Sequence, residues 1–169
     1  MARVASYERD FQTGKGYWSD EQYRLFGYEP GQVPSSHELF KKHVHPDDRA
    51  MVTEAIEEGL AEGKGFELDC RYIPRDGEVR YAHIICNVGL DDAGKPRWMH
   101  GTFQDITERM QVEEALRQSE EKYRDLVEEV NDVIYAIDTN GVITYVNPAI
   151  ESFLGYSPSE VIGRTFGQF

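Results

Sequence analysis

An internal repeat constrains the fold of this chain more than any other feature of its sequence. The segment Gly27-Tyr28-Glu29-Pro30 recurs, without a gap, as Gly155-Tyr156-Ser157-Pro158, 128 residues later. Four further identities occur at the same offset: Tyr7 with Tyr135, Asp10 with Asp138, Tyr17 with Tyr145, and Val33 with Val161. A period this long exceeds that of a solenoid unit, so the chain is expected to hold two tandem domains of one type.

The second copy of the repeated unit is only partly present. We expect a complete domain over residues 1–106, a linker helix over 107–130, and the N-terminal part of a second domain over 131–169. Without later strands to pair with, that second part should be loose, swapped with another chain, or paired at a sheet edge. It should then expose several apolar residues: Val133, Ile137, Ile143 and Phe153.

Residue patterning predicts strands and then helices at the start of the first copy. Residues 4–11 and 17–18 are predicted strands, and Ser19 is the predicted cap of a helix that ends at Gly27. The His45-Pro46-Asp47-Asp48 segment predicts another helix start, with the helix running from about Asp47 to Glu62. Its predicted apolar face comprises Met51, Val52, Ala55, Ile56 and Leu60.

Three strands should follow, at residues 66–72, 79–90 and 97–104. The first alternates apolar and polar residues, and short turns containing Asp and Gly separate all three. Strands joined by tight turns are antiparallel. Two strands, a helical segment and three strands predict an α+β domain whose helices cover one face of a single sheet.

Several segments of the chain resemble the PAS family, of the subclass that opens with a Trp-Ser-x-Glu-like segment. In the first copy they are Tyr17-Trp18-Ser19-Asp20, Leu25-Phe26-Gly27-Tyr28, His45-Pro46-Asp47-Asp48-Arg49, Arg75-Asp76-Gly77-Glu78 and the closing Asp105-Ile106-Thr107-Glu108-Arg109. In the second they are Asp138-Thr139-Asn140-Gly141, Val146-Asn147-Pro148 and Leu154-Gly155-Tyr156. The resemblance implies a five-stranded antiparallel sheet in the order 2-1-5-4-3, with a helical belt on one face. It also implies a role in sensing small molecules or relaying signals within larger regulators.

The inward side of the three predicted strands is apolar and includes two thiols. Alternation, together with the register implied by the resemblance, gives these ligand-pocket candidates: Phe66, Leu68, Cys70, Tyr72, Ala82, Ile84, Cys86, Met99 and Phe103. Such a wall can enclose a small apolar or aromatic ligand. A filled core without a ligand is the alternative.

The sequence identifies no cofactor. Photosensing relatives carry a Gly-x-Asn-Cys-Arg segment on the helical belt, which this chain lacks, so flavin chemistry is not expected. Haem-binding relatives use a belt histidine as axial ligand, and His43 and His45 are the candidates by position. No metal site is predicted otherwise. With no phosphate-binding loop and no catalytic triad pattern, the chain is not expected to be an enzyme.

The end of the first copy carries the predicted signal relay. Asp105, Ile106 and Thr107 lie where a strand becomes a helix, and Asp105 or Thr107 can cap that helix. The helix has a heptad-like seam: Val112, Leu116, Ser119, Tyr123, Leu126 and Val130. An interdomain coiled coil and a helix packed on its own domain are the two interpretations.

Partners are predicted from surface patterns and charge. Tyr81, Ile85 and Trp98 should form an apolar outer sheet face and, with Val112, Leu116 and Tyr123, the dimer-face candidates of an expected homodimer. A net charge of −13 disfavours nucleic acid and anionic membranes. No apolar run long enough to span a membrane is present, so a cytoplasmic location is expected, within a free or membrane-anchored sensor.

The expected function is that of a sensory or relay module in a larger protein. A sensor histidine kinase is the expected parent, with the output domain in cis and a small molecule as a candidate ligand. A ligand-free dimerisation module and the input domain of a diguanylate cyclase or phosphodiesterase are the alternatives.

Overall fold

The computed structural model describes residues 3–168. Its elements, in chain order, are β1 (Val4–Asp10), β2 (Gly16–Trp18), α1 (Asp20–Phe26), α2 (His37–His43), α3 (Arg49–Glu62), β3 (Phe66–Tyr72), β4 (Arg80–Leu90), β5 (Pro96–Asp105), α4 (Thr107–Glu128), β6 (Tyr135–Ile137), β7 (Ile143–Val146), α5 (Ala149–Leu154) and α6 (Pro158–Val161). The chain divides into two compact units, with the boundary between Gln111 and Val112.

The first unit is built on one antiparallel sheet. Its strand order is β2-β1-β5-β4-β3, and β3, β4 and β5 are consecutive neighbours. The predicted α+β class and the 2-1-5-4-3 order are therefore confirmed. One row of facing residues crosses four strands, from Leu68 through Ile84 and Phe103 to Ala5. Strand alternation puts this whole row on the side that meets the helices.

The helices begin and end where their local sequence favours it. Ser19 Oγ accepts a hydrogen bond from the backbone N–H of Gln22 at the start of α1. Gly27 ends this helix with a φ of 83°, a left-handed conformation that residues with a side chain rarely adopt. The Pro46–Asp48 segment forms a 3-10 turn, so α3 begins two residues later than predicted, at Arg49. Met51 does not lie on its packed face. It is 44% exposed because Val52, the next residue around the helix, faces the sheet.

An aromatic cluster fills part of the space between the helices and the sheet. Phe26 of α1 makes edge-to-face contacts with Trp18 and Phe103, at ring-centroid distances of 5.3 and 5.4 Å. The ring of His43 stacks on Phe26 at 4.6 Å. Phe26, Phe103 and the adjacent Tyr72 are fully buried. Edge-to-face pairs add favourable electrostatic energy to the burial of apolar area.

The second unit has a small core of its own. β6 and β7 form an antiparallel hairpin, and Ile143, Val146, Ile150 and Val161 are buried together. The expectation that Ile143 is exposed is wrong. The chain after α6 folds back along β7, and Ile143 exchanges backbone hydrogen bonds of 2.9 and 2.8 Å with Arg164 and Gly163. Phe153 is 75% exposed, as expected.

Helix α4 is continuous over 22 residues. It ends at Glu128, so the seam residue Val130 lies beyond the helix. Val112, Leu116 and Tyr123 are all more than half exposed. Among residues 3–168 the structure contains no helix that combines the length and the apolar character needed to cross a membrane.

Candidate ligand cavity and relay joint

A cavity of about 230 Å³ lies in the first unit, between the inner face of the sheet and the helices. The buried part of its lining comes from β2, α1, α3, β4 and β5, and consists of Trp18, Gln22, Val52, Ile56, Ile84 and Met99. Five of these six side chains are apolar. The cavity is therefore suited to the apolar body of a small molecule.

Gln22 is the polar exception within this buried lining. It is 1% exposed, and its backbone N–H is already bonded to Ser19 at the start of α1. Its side-chain Nε2 and Oε1 make no hydrogen bond with any residue in the described range 3–168. A carboxamide has two donors and one acceptor, and those of Gln22 are thus unpaired in a residue that borders the cavity.

The mouth of the cavity is polar and partly exposed. Glu8 and Arg9 of β1 lie on one side, and His37 and Glu38 at the start of α2 lie on the other. The Arg9 guanidinium lies 5.2 Å from the centre of the Phe11 ring. Burial lowers the pKa of His37, and nearby Arg9 and Lys41 lower it further. The charged groups of the site are thus confined to its solvent side.

The structure distributes the predicted pocket residues between the cavity and the packed core. Phe66, Ile84 and Met99 line the cavity. The other six predicted residues do not line the cavity within the described part of the chain. Leu68 is half-buried against the hydrophobic core. The remaining five are buried in that core: Cys70, Tyr72, Ala82, Cys86 and Phe103.

Sequence reasoning missed several lining residues outside the last three strands. They are Tyr7, Trp18, Gln22, Ser35, His37, Phe40, Val52 and Ile56. Gln22 had a signal that was overlooked. It lies one turn before Phe26 on a short helix whose inward face is otherwise aromatic or aliphatic, and a polar residue there calls for an explanation.

The two thiols have low reactivity. Burial raises the pKa of Cys70 to about 12, and nearby Asp48 and Asp69 contribute to the shift. Burial also raises the pKa of Cys86, whose side chain is hydrogen-bonded with Tyr7. Because the thiolate is the reactive form, neither side chain has the character of a nucleophile or a redox sensor at neutral pH.

His43 and His45 do not fit the role of haem ligand. The ring of His43 is fully engaged: Nδ1 lies 2.7 Å from the carbonyl oxygen of Ile73, and Nε2 lies 3.1 Å from the hydroxyl of Tyr28. Since a carbonyl only accepts, Nδ1 carries the hydrogen and Nε2 accepts from Tyr28. His45 Nδ1 accepts the N–H of Asp47 at 3.3 Å. Neither histidine lines the cavity.

The predicted relay residues form a compact hydrogen-bonded joint at the start of α4. Asp105 Oδ1 accepts from both the backbone N–H of Thr107, at 2.9 Å, and its hydroxyl, at 2.6 Å. Asp105 Oδ2 accepts from the hydroxyl of Tyr72 at 3.0 Å. One carboxylate therefore connects the fully buried Tyr72 with the first residue of α4.

The same joint is fastened to the neighbouring strand. The N–H of Tyr81 on β4 donates to Thr107 Oγ1 at 3.0 Å, and the N–H of Ile106 donates to the Tyr81 carbonyl at 2.9 Å. Ile106 is itself buried, with 3% of its surface exposed. The first turn of α4 is thus bonded to β4 and to the end of β5.

The outer face of the sheet carries the predicted apolar side chains. Tyr81, Ile85 and Trp98 are each between 36% and 39% exposed. The ring of His100 stacks on Trp98 at a centroid distance of 4.7 Å. His83 on the same face contacts Asp69 and Glu67 at 2.6 and 3.2 Å. Over residues 3–168, no group of three or more His, Cys, Asp or Glu side chains is placed to hold a metal ion.

Comparison with protein families gives two matches along the chain. One family model, described as a PAS fold, matches residues 15–103, and a second with the same description matches residues 121–169. The unmatched residues between them, 104–120, cover the end of β5 and the first part of α4.

Comparison with individual proteins gives relatives among signalling proteins. Sensor protein FixL of Bradyrhizobium diazoefficiens is 33% identical over 95% of this chain and 32% of its own length. The probable diguanylate cyclase DgcE of Escherichia coli is 26% identical over 95% of this chain and 14% of its own. The chain therefore spans a third or less of these relatives. A crystal structure of a sensory box histidine kinase/response regulator from Burkholderia thailandensis superposes with a TM-score of 0.60 and 29% identity, covering 73% of this chain and 92% of that one.

Proposed function

The chain belongs to the PAS family, and we propose that its first unit senses a small ligand and relays the signal through α4. It is a PAS module similar to parts of sensor histidine kinases and of a diguanylate cyclase. The cavity described above is the proposed sensing site. The joint formed by Asp105, Ile106 and Thr107 is the proposed relay.

The proposal connects the cavity to the joint through the sheet. Ile84 and Met99 line the cavity from β4 and β5, the two strands that also support the joint. A ligand that shifts these strands changes the positions of Tyr81 on β4 and Asp105 on β5. Packed interiors respond to such shifts as connected bodies because they are as dense as organic crystals.

The observation that carries the proposal is the hydrogen bond from Tyr72 to Asp105. Tyr72 is fully buried and packs edge-to-face on Phe103 at 5.0 Å. Its hydroxyl reaches the carboxylate that caps the first turn of α4. A change of packing around Tyr72 would therefore be transmitted to α4 through this charge-assisted hydrogen bond.

Hydrogen exchange of α4 tests this relay. Replacing Ile56 with Phe should fill part of the cavity and imitate occupancy, and it should change the exchange rates of the amides at residues 107–111. In the Ile56→Phe/Tyr72→Phe double variant the change should be much smaller. Tyr17→Phe, which removes an exposed hydroxyl, is the control for Tyr72→Phe. If filling the cavity leaves these amides unchanged in a folded protein, the relay proposal is wrong.

For the whole protein we propose a sensor histidine kinase, with the input domain of a diguanylate cyclase or phosphodiesterase as the alternative. The similar sensory box histidine kinase/response regulator supports the first possibility, and the similar probable diguanylate cyclase supports the second. The proposed boundaries are a PAS domain over 1–106, a signalling helix over 107–130 and the beginning of a second PAS domain over 131–169. Assays of the full-length protein for autophosphorylation from ATP and for turnover of cyclic dinucleotides separate the alternatives.

A second candidate function is homodimerisation through the outer sheet face. Exposed Tyr81, Ile85 and Trp98 favour it, since apolar patches on a sheet are usually covered. The exposed seam of α4 is a further candidate surface. Light scattering should show a dimer that Ile85→Glu weakens and that Val79→Glu, an exposed change off the strand, does not. A monomer at all concentrations would exclude this function.

A further inference from the structure

The side-chain amide of Gln22 is the least explained polar group of the first unit. It is buried to 1% exposure, and neither of its polar atoms has a hydrogen-bond partner among residues 3–168. Buried polar side chains in folded proteins nearly always have partners, because removing one from water without a new hydrogen bond carries a free-energy cost that nothing offsets. A molecule in the cavity that bonds to this amide would offset that cost.

The amide is held in place by the helix that carries it. Gln22 lies in the first turn of α1. The backbone N–H of Gln22 donates to Ser19, and these bonds fix the start of the helix. On either side of Gln22 along the chain, Trp18 and Phe26 are buried in the aromatic cluster. Because Gln22 is itself buried on this helix, few orientations of its side chain are open. A primary amide held in this way presents one donor and one acceptor side by side to a single ligand edge.

The rest of the buried lining selects for an uncharged ligand. Trp18, Val52, Ile56, Ile84 and Met99 offer no charge to pair with. The charged residues of the site, Glu8, Arg9 and Glu38, are at least partly exposed at the mouth. An ionised carboxylate or ammonium next to Gln22 would be desolvated without a counter-charge, which is far more costly than burying a neutral amide.

The size of the cavity limits the ligand to a small ring compound. An engineered apolar cavity of about 150 Å³ in another protein is enough to bind benzene. The cavity here, at about 230 Å³, has room for one ring and a small substituent. The side chains that line it include four aromatic ones, Tyr7, Trp18, Phe40 and Phe66, and Met99 adds a polarisable sulfur. Aromatic rings and thioethers both pack favourably against a flat ring.

We propose that the cavity takes an uncharged aromatic or heteroaromatic compound bearing an amide-type edge, such as a carboxamide or a lactam, and that Gln22 recognises this edge by a pair of hydrogen bonds. This inference rests on the proposed sensing function, since it assigns a ligand class to the same cavity. Gln22 is the specificity-determining residue in this assignment.

Binding of matched probes to the full chain tests the assignment. Benzamide carries the amide edge, toluene has the same ring without a polar edge, and benzoate replaces the amide with a charged carboxylate. Titration calorimetry and ligand-observed NMR should show that benzamide and the lactam 2-pyridone bind at least tenfold more tightly than toluene or benzoate. A tenfold ratio corresponds to about 1.4 kcal/mol.

Substitution of Gln22 should remove this preference. In Gln22→Leu the affinity for benzamide should fall at least tenfold, while toluene binds as well as before or better. The variant should remain folded, because replacing an unpartnered buried amide with an apolar side chain relieves a cost. Gln111→Leu, at an exposed position, is the matched control and should leave all affinities unchanged.

The outcomes separate this inference from the function on which it rests. If toluene and benzamide bind equally well, or if Gln22→Leu leaves their ratio unchanged, the amide assignment is wrong and the cavity remains a ligand site. If benzoate binds most tightly, the ligand is an anion and the assignment is also wrong. If none of the four probes binds at millimolar concentration, both this assignment and ligand sensing by the cavity are overturned.

Discussion

Asp48 and Arg71 form a bidentate ion pair that links the start of α3 to β3. Asp48 Oδ1 accepts from Arg71 Nη2 at 2.6 Å, and Oδ2 accepts from Nε at 3.1 Å. The same Oδ2 accepts the backbone N–H of Arg71 at 2.7 Å. The Asp48 carboxylate is 16% exposed, so this pair is shielded more than an ordinary surface ion pair. The bonds explain why the helix after Pro46 starts where it does.

Replacing Asp48 with Asn should destabilise the first unit by about 1–3 kcal/mol, because it removes the charge from three hydrogen bonds. The Arg71 side chain holds the pKa of Asp48 below its usual range, so its contribution is present above pH ~4 and is lost as the pH falls below that. Urea denaturation measures the loss. Asp47→Asn makes the same charge change at a carboxylate that is 71% exposed, and it should have little effect. Equal losses in the two variants would contradict this account.

Gly101 should not tolerate even a methyl group. A Cβ at this position in β5 would overlap the carbonyl oxygen of Ile85 and crowd the hydroxyl of Tyr7. The carbonyl belongs to the sheet and has little freedom to move. We expect Gly101→Ala to cost about 1–3 kcal/mol, as overpacking of a core does. Thermal denaturation measures the cost. Gly167→Ala, where nothing lies within 4 Å, should be neutral; a neutral Gly101→Ala would mean that β4 and β5 are less closely paired than described.

Stability should fall as the pH is lowered through the range in which histidine titrates. Burial lowers the pKa of His43, and nearby Lys42 and Arg75 lower it further. Below pH ~6.5 the unfolded chain binds a proton at His43 more readily than the folded chain does. The free energy of unfolding therefore decreases as the pH falls. His37, whose pKa burial also lowers, acts in the same direction.

Urea denaturation between pH 7.5 and 5.5 measures this dependence. One histidine contributes a slope of at most about 1.4 kcal/mol per pH unit. His43→Gln should flatten the profile, whatever its effect on stability at pH 7.5. His100→Gln, on the exposed side of the sheet, is the control. A profile that rises toward acid, or one that His43→Gln leaves unchanged, would show that the ring is not held neutral by burial.

The sheet could be predicted because its information is local. Alternating apolar residues define the inner face of β3, and tight turns fix which strands are neighbours. The resemblance to the PAS family supplied the register across to Phe103, whereas the local pattern supplied the strands themselves. The relay residues were found in the same way, since Asp105 and Thr107 are capping residues at a strand-to-helix junction.

The cavity was harder to predict because it is a property of volume. Alternation shows that Cys86 and Phe66 face inward, but not that one is packed against Tyr7 while the other lines a space. Which inward residues leave that space depends on how α1 and α3 lie over the sheet. The burial of Ile143 was missed for a similar reason, since it depends on the chain after α6 folding back along β7.

Asn147 in the second unit makes four hydrogen-bond contacts with the end of α4 and the segment that follows it. It is fully buried, and its Nδ2 donates to the carbonyls of Val127 and Asp132 at 3.0 Å and to that of Val130 at 3.4 Å. Its Oδ1 accepts the N–H of Ile134 at 2.9 Å. The side chain thus bonds to Val127, one of the last carbonyls of α4, which lack partners within the helix itself, and to two carbonyls beyond the helix.

Asn147→Ala should therefore release the end of α4 while the hairpin of β6 and β7 persists. Leaving these groups without partners costs about 1–3 kcal/mol for each one that water does not reach. Hydrogen exchange should accelerate at the amides of residues 127–134, and the thermal midpoint of the second unit should fall. Asn140→Ala, in the exposed turn between the two strands, controls for loss of an Asn side chain. If exchange at residues 127–134 is the same in both variants, another part of the chain holds the end of α4. The Asn147 side chain would then make no bond on which this segment depends.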